Sequence, residues 1–205
     1  MIALYNSTAK LVTHLFLQEK TVSSCLSALF VLHLDTNRRV LEEIKTFTRI
    51  MIDFEDIRKR TTNVKGYIDK LPDKDKDIVM ESYEEYNLNI EAANELKDFL
   101  KDLKVVIFSA AWCGDCKRAM PVLLHLEEKY GLDAMVFGEI KTDPLNKDVR
   151  WRVPPSPPEI NEWGATAIPW FEFFDSKGNK VATLIEKPKV KETLEEEILY
   201  ILKNK

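Results

Sequence analysis

Cysteine is scarce in this chain, with three in 205 residues. That excludes a disulfide scaffold. Two of the three stand close together at Cys113 and Cys116, and Cys25 lies far away in sequence without an obvious partner. Such usage fits a reducing compartment, so a cytoplasmic location is expected. Basic runs interleaved with aromatics are also missing. With a net charge of −4 there is no footprint for nucleic acid. Long apolar runs are absent too. The stretch VSSCLSALFVLHL at 22–34 is 13 residues, whereas a spanning helix needs about 20. It is a poor export signal, because it starts late and runs into Asp35, Asn37, Arg38 and Arg39 without a small-residue cleavage site. A lipoprotein signal is excluded because the apolar run follows Cys25 instead of preceding it. No membrane partner is expected.

What is present reads as a soluble globular chain, 45% hydrophobic and 31% charged, long enough for one ordinary domain and an extension. The composition changes near residue 50. Residues 1–50 hold 4 of the 34 acids and 6 of the 30 basic residues, a balance of +2 against −6 for the remainder. Two readings of 1–50 stay open, an ordinary helical extension and an over-called start with translation beginning at Met51. Residues 52–71 space Phe54, Ile57, Val64, Ile68 and Leu71 at helical intervals, and Pro72 stops them. Asp73 is placed to cap a second helix, with a break near Asn87-Leu88-Asn89. The spacing predicts two helices packed as a hairpin. From 104 the pattern alternates: a strand at 105–108, a helix at 113–130 stopped by Gly131, and a strand at 134–140. Strands at 170–174 and 181–185 follow, joined by a turn at 176–179, and then a helix at 191–202. This order predicts an α/β fold with a mixed sheet flanked by helices.

The chemistry concentrates in 105-VVIFSAAWCGDCKRAMPVLLHLEEKY-130. A zinc site needs four ligands, usually two close pairs, yet no second CxxC or HxxxH exists and His125 lies within a helix rather than at ligand spacing. A structural disulfide across a two-residue spacer removes little chain entropy. A reversible dithiol at a strand-to-helix junction remains. Cys113 at the helix N-terminus meets unpaired N–H groups and the positive end of the dipole, which favour its thiolate. Cys116, one turn later, is placed to attack a mixed disulfide.

The segment WCGDCKRAMP, with AIP at 167–169 and the hairpin glycine Gly178, closely resembles the thioredoxin family over about residues 90–205. The resemblance implies a thioredoxin-like three-layer α/β/α sandwich with a mixed central sheet, preceded by a helical N-terminal extension. The map is then 1–50 as a segment of uncertain status, 51–88 as helical extension and 89–205 as thioredoxin-like domain. It implies that Cys113 attacks and Cys116 resolves, with Trp112 beside them. Pro121 kinks the helix, Pro169 is the cis-proline facing the sulfurs, and the Ile168 backbone pairs with a substrate strand.

Three departures from the family pattern bear on mechanism. Asp115 replaces a proline between the cysteines. Its charge disfavours a nearby thiolate and is expected to raise the thiol pKa, which leans the pair towards a reductase. The milder alternative is a solvated carboxylate that caps backbone N–H groups. Ile107 replaces the buried aspartate that serves the resolving thiol. Glu139 replaces a lysine on the adjacent strand: half-buried it could take over proton transfer, exposed it could not. The connection from Asp143 to Pro169 is about ten residues longer than in a minimal thioredoxin. Its prolines, 154, 155, 157 and 158, stiffen it. It either overhangs the site, with Arg150, Trp151, Arg152 and Trp163 as contacts, or is a rigid connection whose tryptophans pack on the domain.

The expected activity is that of a thiol–disulfide oxidoreductase, a protein-disulfide reductase acting on protein or small-molecule disulfides. No cofactor is expected. Electrons come from a separate reductase, since no dinucleotide fingerprint is present. The rivals are a non-enzymatic redox-sensing or partner-binding module and an exported oxidant.

Overall fold

In the computed structural model the described residues are 52–205 other than 147 and 149, so the question of a start at Met51 and the apolar run at 22–34 lie outside them. The two central strands, β1 (Leu103–Phe108) and β3 (Trp170–Asp175), read LKVVIF and WFEFFD and are buried almost throughout. Strands this apolar need cover on both faces. With β2 (Asp133–Phe137) and β4 (Lys180–Ile185) they form one sheet in the order β2-β1-β3-β4. β1 and β2 are parallel, while β1–β3 and β3–β4 are antiparallel, so Ile107 sits between Val136 and Phe171.

Alternate side chains serve opposite faces. Val105, Ile107, Val136, Phe171 and Phe173 join one buried cluster with Leu96, Met120, Leu123 and Ile198. That face is covered by α5 (Gly114–Tyr130), α4 (Ile90–Leu100) and α7 (Leu194–Lys203). On the other face Phe108 stacks on Phe137, Trp163 packs against Phe108 and Phe174, and Phe54 meets Phe174 edge-on at 5.6 Å. These come from α1 (Phe54–Arg60) and from the long connection that contains α6 (Glu159–Glu162). The layers are those of the expected α/β/α sandwich.

Local chemistry sets the helix ends. α5 stops at Gly131, whose φ of +80° is the left-handed C-cap position. α7 opens with a reciprocal capping box between Thr193 and Glu196.

The N-terminal helices depart from expectation. The helix expected over 52–71 is two, α1 and α2 (Val64–Asp69). Between them Thr62 leaves the helical path to pair with Val136, with Thr62 N–H on the Val136 carbonyl at 3.2 Å and the return bond at 2.7 Å. Unpaired donors on the β2 edge thus outcompete helix continuation. α3 (Asp73–Glu85) starts at Asp73 itself, and no side chain caps it. Nor do the stretches 52–71 and 73–103 pack as a simple hairpin, because the second divides into α3, which packs chiefly on α5, and α4, which packs on α7 and α5. Glu195, fully buried, ties the bend between them by accepting from Tyr86 Oη and Asn89 N. Residues Asp53–Lys205 form one compact unit, so these helices belong to the same body as the sheet.

Candidate redox site

β1 carries the chain to Ser109, whose N–H still bonds the Phe137 carbonyl, and the path then turns. Cys113 N–H closes the turn onto the Ala110 carbonyl at 3.0 Å, and Cys113 becomes the N-cap of α5. Its Sγ accepts the Cys116 N–H at 3.3 Å and lies 3.4 Å from the Ile168 carbonyl, to which the thiol donates. The Ile168–Pro169 peptide bond is cis, as is Pro154–Pro155. Both cysteines are free thiols, Cys113 8% exposed and Cys116 fully buried. Trp112, 57% exposed, donates its indole N–H to the Ile140 carbonyl and forms the rim. Cys113, Cys116, Trp112, Ile168 and Pro169 therefore come together.

The two sulfurs are electrically unlike. The Cys113 pKa is brought down to about 7 by hydrogen bonding from the Cys116 thiol and from the N–H groups of Cys116 and Asp115, against burial and the Asp115 charge. Burial, and then the neighbouring Cys113, push the Cys116 thiol far up. Both influences expected at the outer cysteine act, the donors at the helix start lowering its pKa and the Asp115 charge raising it. The Asp115 repulsion is present but outweighed, and Asp115 pairs with Arg118 one turn along α5 instead of capping the backbone. Glu139 is exposed rather than half-buried, because β2 ends at Phe137 and Glu139 meets Ala110 only through the backbone.

Of the long connection, Trp151 is 4% exposed with its indole N–H on the Ala165 carbonyl, and Trp163 packs on the aromatic face. The tryptophans pack on the domain, while Arg150 and Arg152 remain exposed.

Two residues escaped the sequence reading. Ser109, fully buried, donates its hydroxyl to Tyr67 Oη at 3.1 Å, and hydrogen bonding by Ser109 is the first influence that lowers the Cys116 thiol pKa. Ser109 is legible as a polar residue inside an apolar run. Tyr67 arrives from α2 and carries no local signal. Beside the site a cleft of about 570 Å³ opens between Trp112, Tyr67, Gly138 and Pro155. Among the described residues no cluster of three or more His, Cys, Asp or Glu is placed to hold a metal.

Comparison with known proteins points one way. A family model described as thioredoxin matches residues 61–198, which takes in α2, α3 and α4. Thioredoxin from Pongo abelii is 35% identical over 96 residues, 46% of this chain and 78% of that protein. A TPR repeat-containing thioredoxin from Oryza sativa is 29% identical over 156 residues, 76% of this chain and 43% of the rice protein. A crystal structure of a Pseudomonas aeruginosa protein of unknown function superposes with a TM-score of 0.56 at 13% identity, covering 75% of this chain and 99% of that one.

Proposed function

The chain belongs to the thioredoxin family, and from that premise we propose that it is a protein-disulfide reductase that cycles Cys113 and Cys116 between dithiol and disulfide. The observation that carries this reading is the asymmetry of the pair, an outer thiol near pKa 7 over a buried inner thiol that stays protonated. Near neutral pH about half of Cys113 is thiolate, the nucleophilic form. The thiolate attacks one sulfur of a target disulfide, forms a Cys113–substrate bond and expels the other sulfur as a thiolate. Cys116 then attacks the Cys113 sulfur, closes the Cys113–Cys116 bond and releases the second substrate sulfur. The substrate gains two electrons and the pair loses two, which a separate reductase restores.

Ile168 offers its backbone beside the sulfur, and Trp112 provides an exposed apolar rim. The two align an extended substrate segment by backbone pairing, the usual means of adding a strand. Among the described residues no helix is long and apolar enough to cross a membrane. A cytoplasmic location is proposed on cysteine usage.

The test is reduction of insulin with a thiol reductant as donor. Activity in the native protein, lost in Cys113→Ser and Cys116→Ser, is the expected result. No turnover in the native protein favours the non-enzymatic module instead. The reduction potential decides direction: about −270 mV is expected for a reductase, and about −120 mV marks an oxidant.

A further inference from the structure

Resolution of a mixed disulfide requires Cys116 to lose a proton, and the position expected to hold a carboxylate is Ile107, fully buried in the apolar cluster. Glu139 is exposed. Hydrogen bonding by the Ser109 hydroxyl reaches the inner sulfur, and Tyr67 stands behind Ser109, the two 4% and 0% exposed and joined by the 3.1 Å bond.

The pair is held by several independent contacts. Thr62 anchors the start of α2 to the β2 edge, and the Asn63 side chain caps Gly66. Glu127 of α5 accepts the Val64 and Lys65 N–H groups at 2.7 and 3.1 Å. The Tyr67 ring lies so close over Gly138 that a Cβ there would stand 2.4 Å from the ring. A glycine at that position makes room for the phenol. Tyr67 also lines the cleft beside the pair.

We propose that Ser109 and Tyr67 form the hydrogen-bonded relay through which Cys116 gives up its proton when it resolves the mixed disulfide, taking the place of a buried carboxylate. The inference rests on the reductase reading above. In the resting chain the Ser109 hydroxyl bonds Tyr67 Oη at 3.1 Å. As Cys116 attacks the Cys113 sulfur, its proton passes to Ser109, the Ser109 proton to Tyr67, and the Tyr67 proton to water in the cleft. The Cys113–Cys116 bond forms and the Cys113–substrate bond breaks. The electron pair leaves on the substrate sulfur, which takes a proton from water. Ser109 ends the step donating to the sulfur, the orientation that stabilises developing charge. Burial holds Tyr67 up at about 12, so it passes a proton without resting as an anion. The charged groups facing the relay are Cys113 on α5, the Asp75–Lys117 pair joining α3 to α5, and Lys59, Arg60, Lys70, Glu139 and Lys141 around the cleft.

The experiment is a single turnover of the reduced full-length protein with a stoichiometric aromatic disulfide that releases a coloured thiolate. The first release reports attack by Cys113 and the second reports resolution by Cys116. Ser109→Ala slows the second release by about tenfold or more, the worth of one hydrogen bond to an ionised group. Tyr67→Phe slows it by a smaller factor. In both, the first release stays within about twofold of native and the acid limb of the second moves to higher pH. Each single change orphans a buried hydroxyl partner, whereas S109A/Y67F removes both and keeps native stability. A second release from S109A/Y67F at the native rate overturns the relay alone, as does equal slowing of both releases. No release from the native protein overturns the reductase reading, and the relay with it.

Discussion

Replacing Cys116 by alanine tests the electrostatics of the site most directly. The Cys113 pKa stands about two units below its ordinary value of 9.0, a preference for thiolate of ~2.7 kcal/mol at 1.36 kcal/mol per unit. The Cys116 thiol is the largest contributor, and the N–H groups of Cys116 and Asp115 supply the rest against burial. Cys116→Ala deletes the thiol donor and leaves both N–H groups. The midpoint therefore rises by about one unit, ~1.4 kcal/mol, and the thiolate fraction at pH 7 falls from about a half to about a tenth. The assay is thiolate ultraviolet absorbance during a pH titration, checked by alkylation rate, in a Cys25→Ser background so that only this site titrates. Asp115→Asn moves the midpoint down, by less than Cys116→Ala moves it up, because Arg118 already shares the Asp115 charge. A Cys116→Ala midpoint equal to the native one would refute the hydrogen-bond argument, and a native midpoint near 9 would refute the whole account.

Gly138→Ala drives a methyl group into the Tyr67 ring. It should lower stability by about 1–3 kcal/mol in urea denaturation and slow the resolving step without removing a hydroxyl; an unchanged midpoint and rate would show that the ring is not held there. Leu96→Ala, at a position 0% exposed, should cost about 2–5 kcal/mol, and a loss under 1 kcal/mol would mean that the helix layer yields freely. His125 is held below its ordinary value of 6.5 by burial first and then by Lys129, while its ring stacks on Tyr83 at 4.0 Å. A depressed folded pKa means that the unfolded chain binds the extra proton first, so stability is lost as pH falls through 6.5. His125→Phe should flatten that part of the urea midpoint against pH curve, and an unaltered slope would assign the loss elsewhere.

The parts legible in the sequence are those whose causes are local. The switch from an apolar run to a helical period at Cys113, the stop at Gly131 and the turn before Lys180 are each fixed by neighbours within a few residues. They placed β1, α5 and the β3–β4 pair within about three residues of their observed ends. What failed depended on distant partners. Thr62 breaks a good helical pattern because an open strand edge lies 74 residues away at Val136. The strand expected through residue 140 stops at Phe137, which leaves Glu139 exposed. The Asp115 charge raises the Cys113 pKa as argued from the sequence, but the largest influence opposing it, the Cys116 thiol, acts only once the helix turn has brought Cys116 back under Cys113.

Tyr67 lies outside the boundary at residue 89 that the family resemblance implied. A domain starting at residue 89 contains the CxxC, the sheet and the cis peptide bond, yet it omits the residue that covers the inner thiol's serine. The omission has an energetic side as well. Val64, Tyr67, Ile68, Leu71 and Val79 lie in the same buried cluster as Ile107 and Met120, so deleting them uncovers the side chains they pack on, and each large apolar side chain so exposed costs about 1.5–3 kcal/mol. Losing five such contributions exceeds or rivals the 5–15 kcal/mol that holds a typical domain together. A chain of 89–205 should therefore show no cooperative thermal transition in near-ultraviolet circular dichroism, and no coloured release from an aromatic disulfide beyond that of an unstructured dithiol. A sharp transition at the temperature of the 52–205 chain would show that the first helices merely decorate a self-sufficient fold.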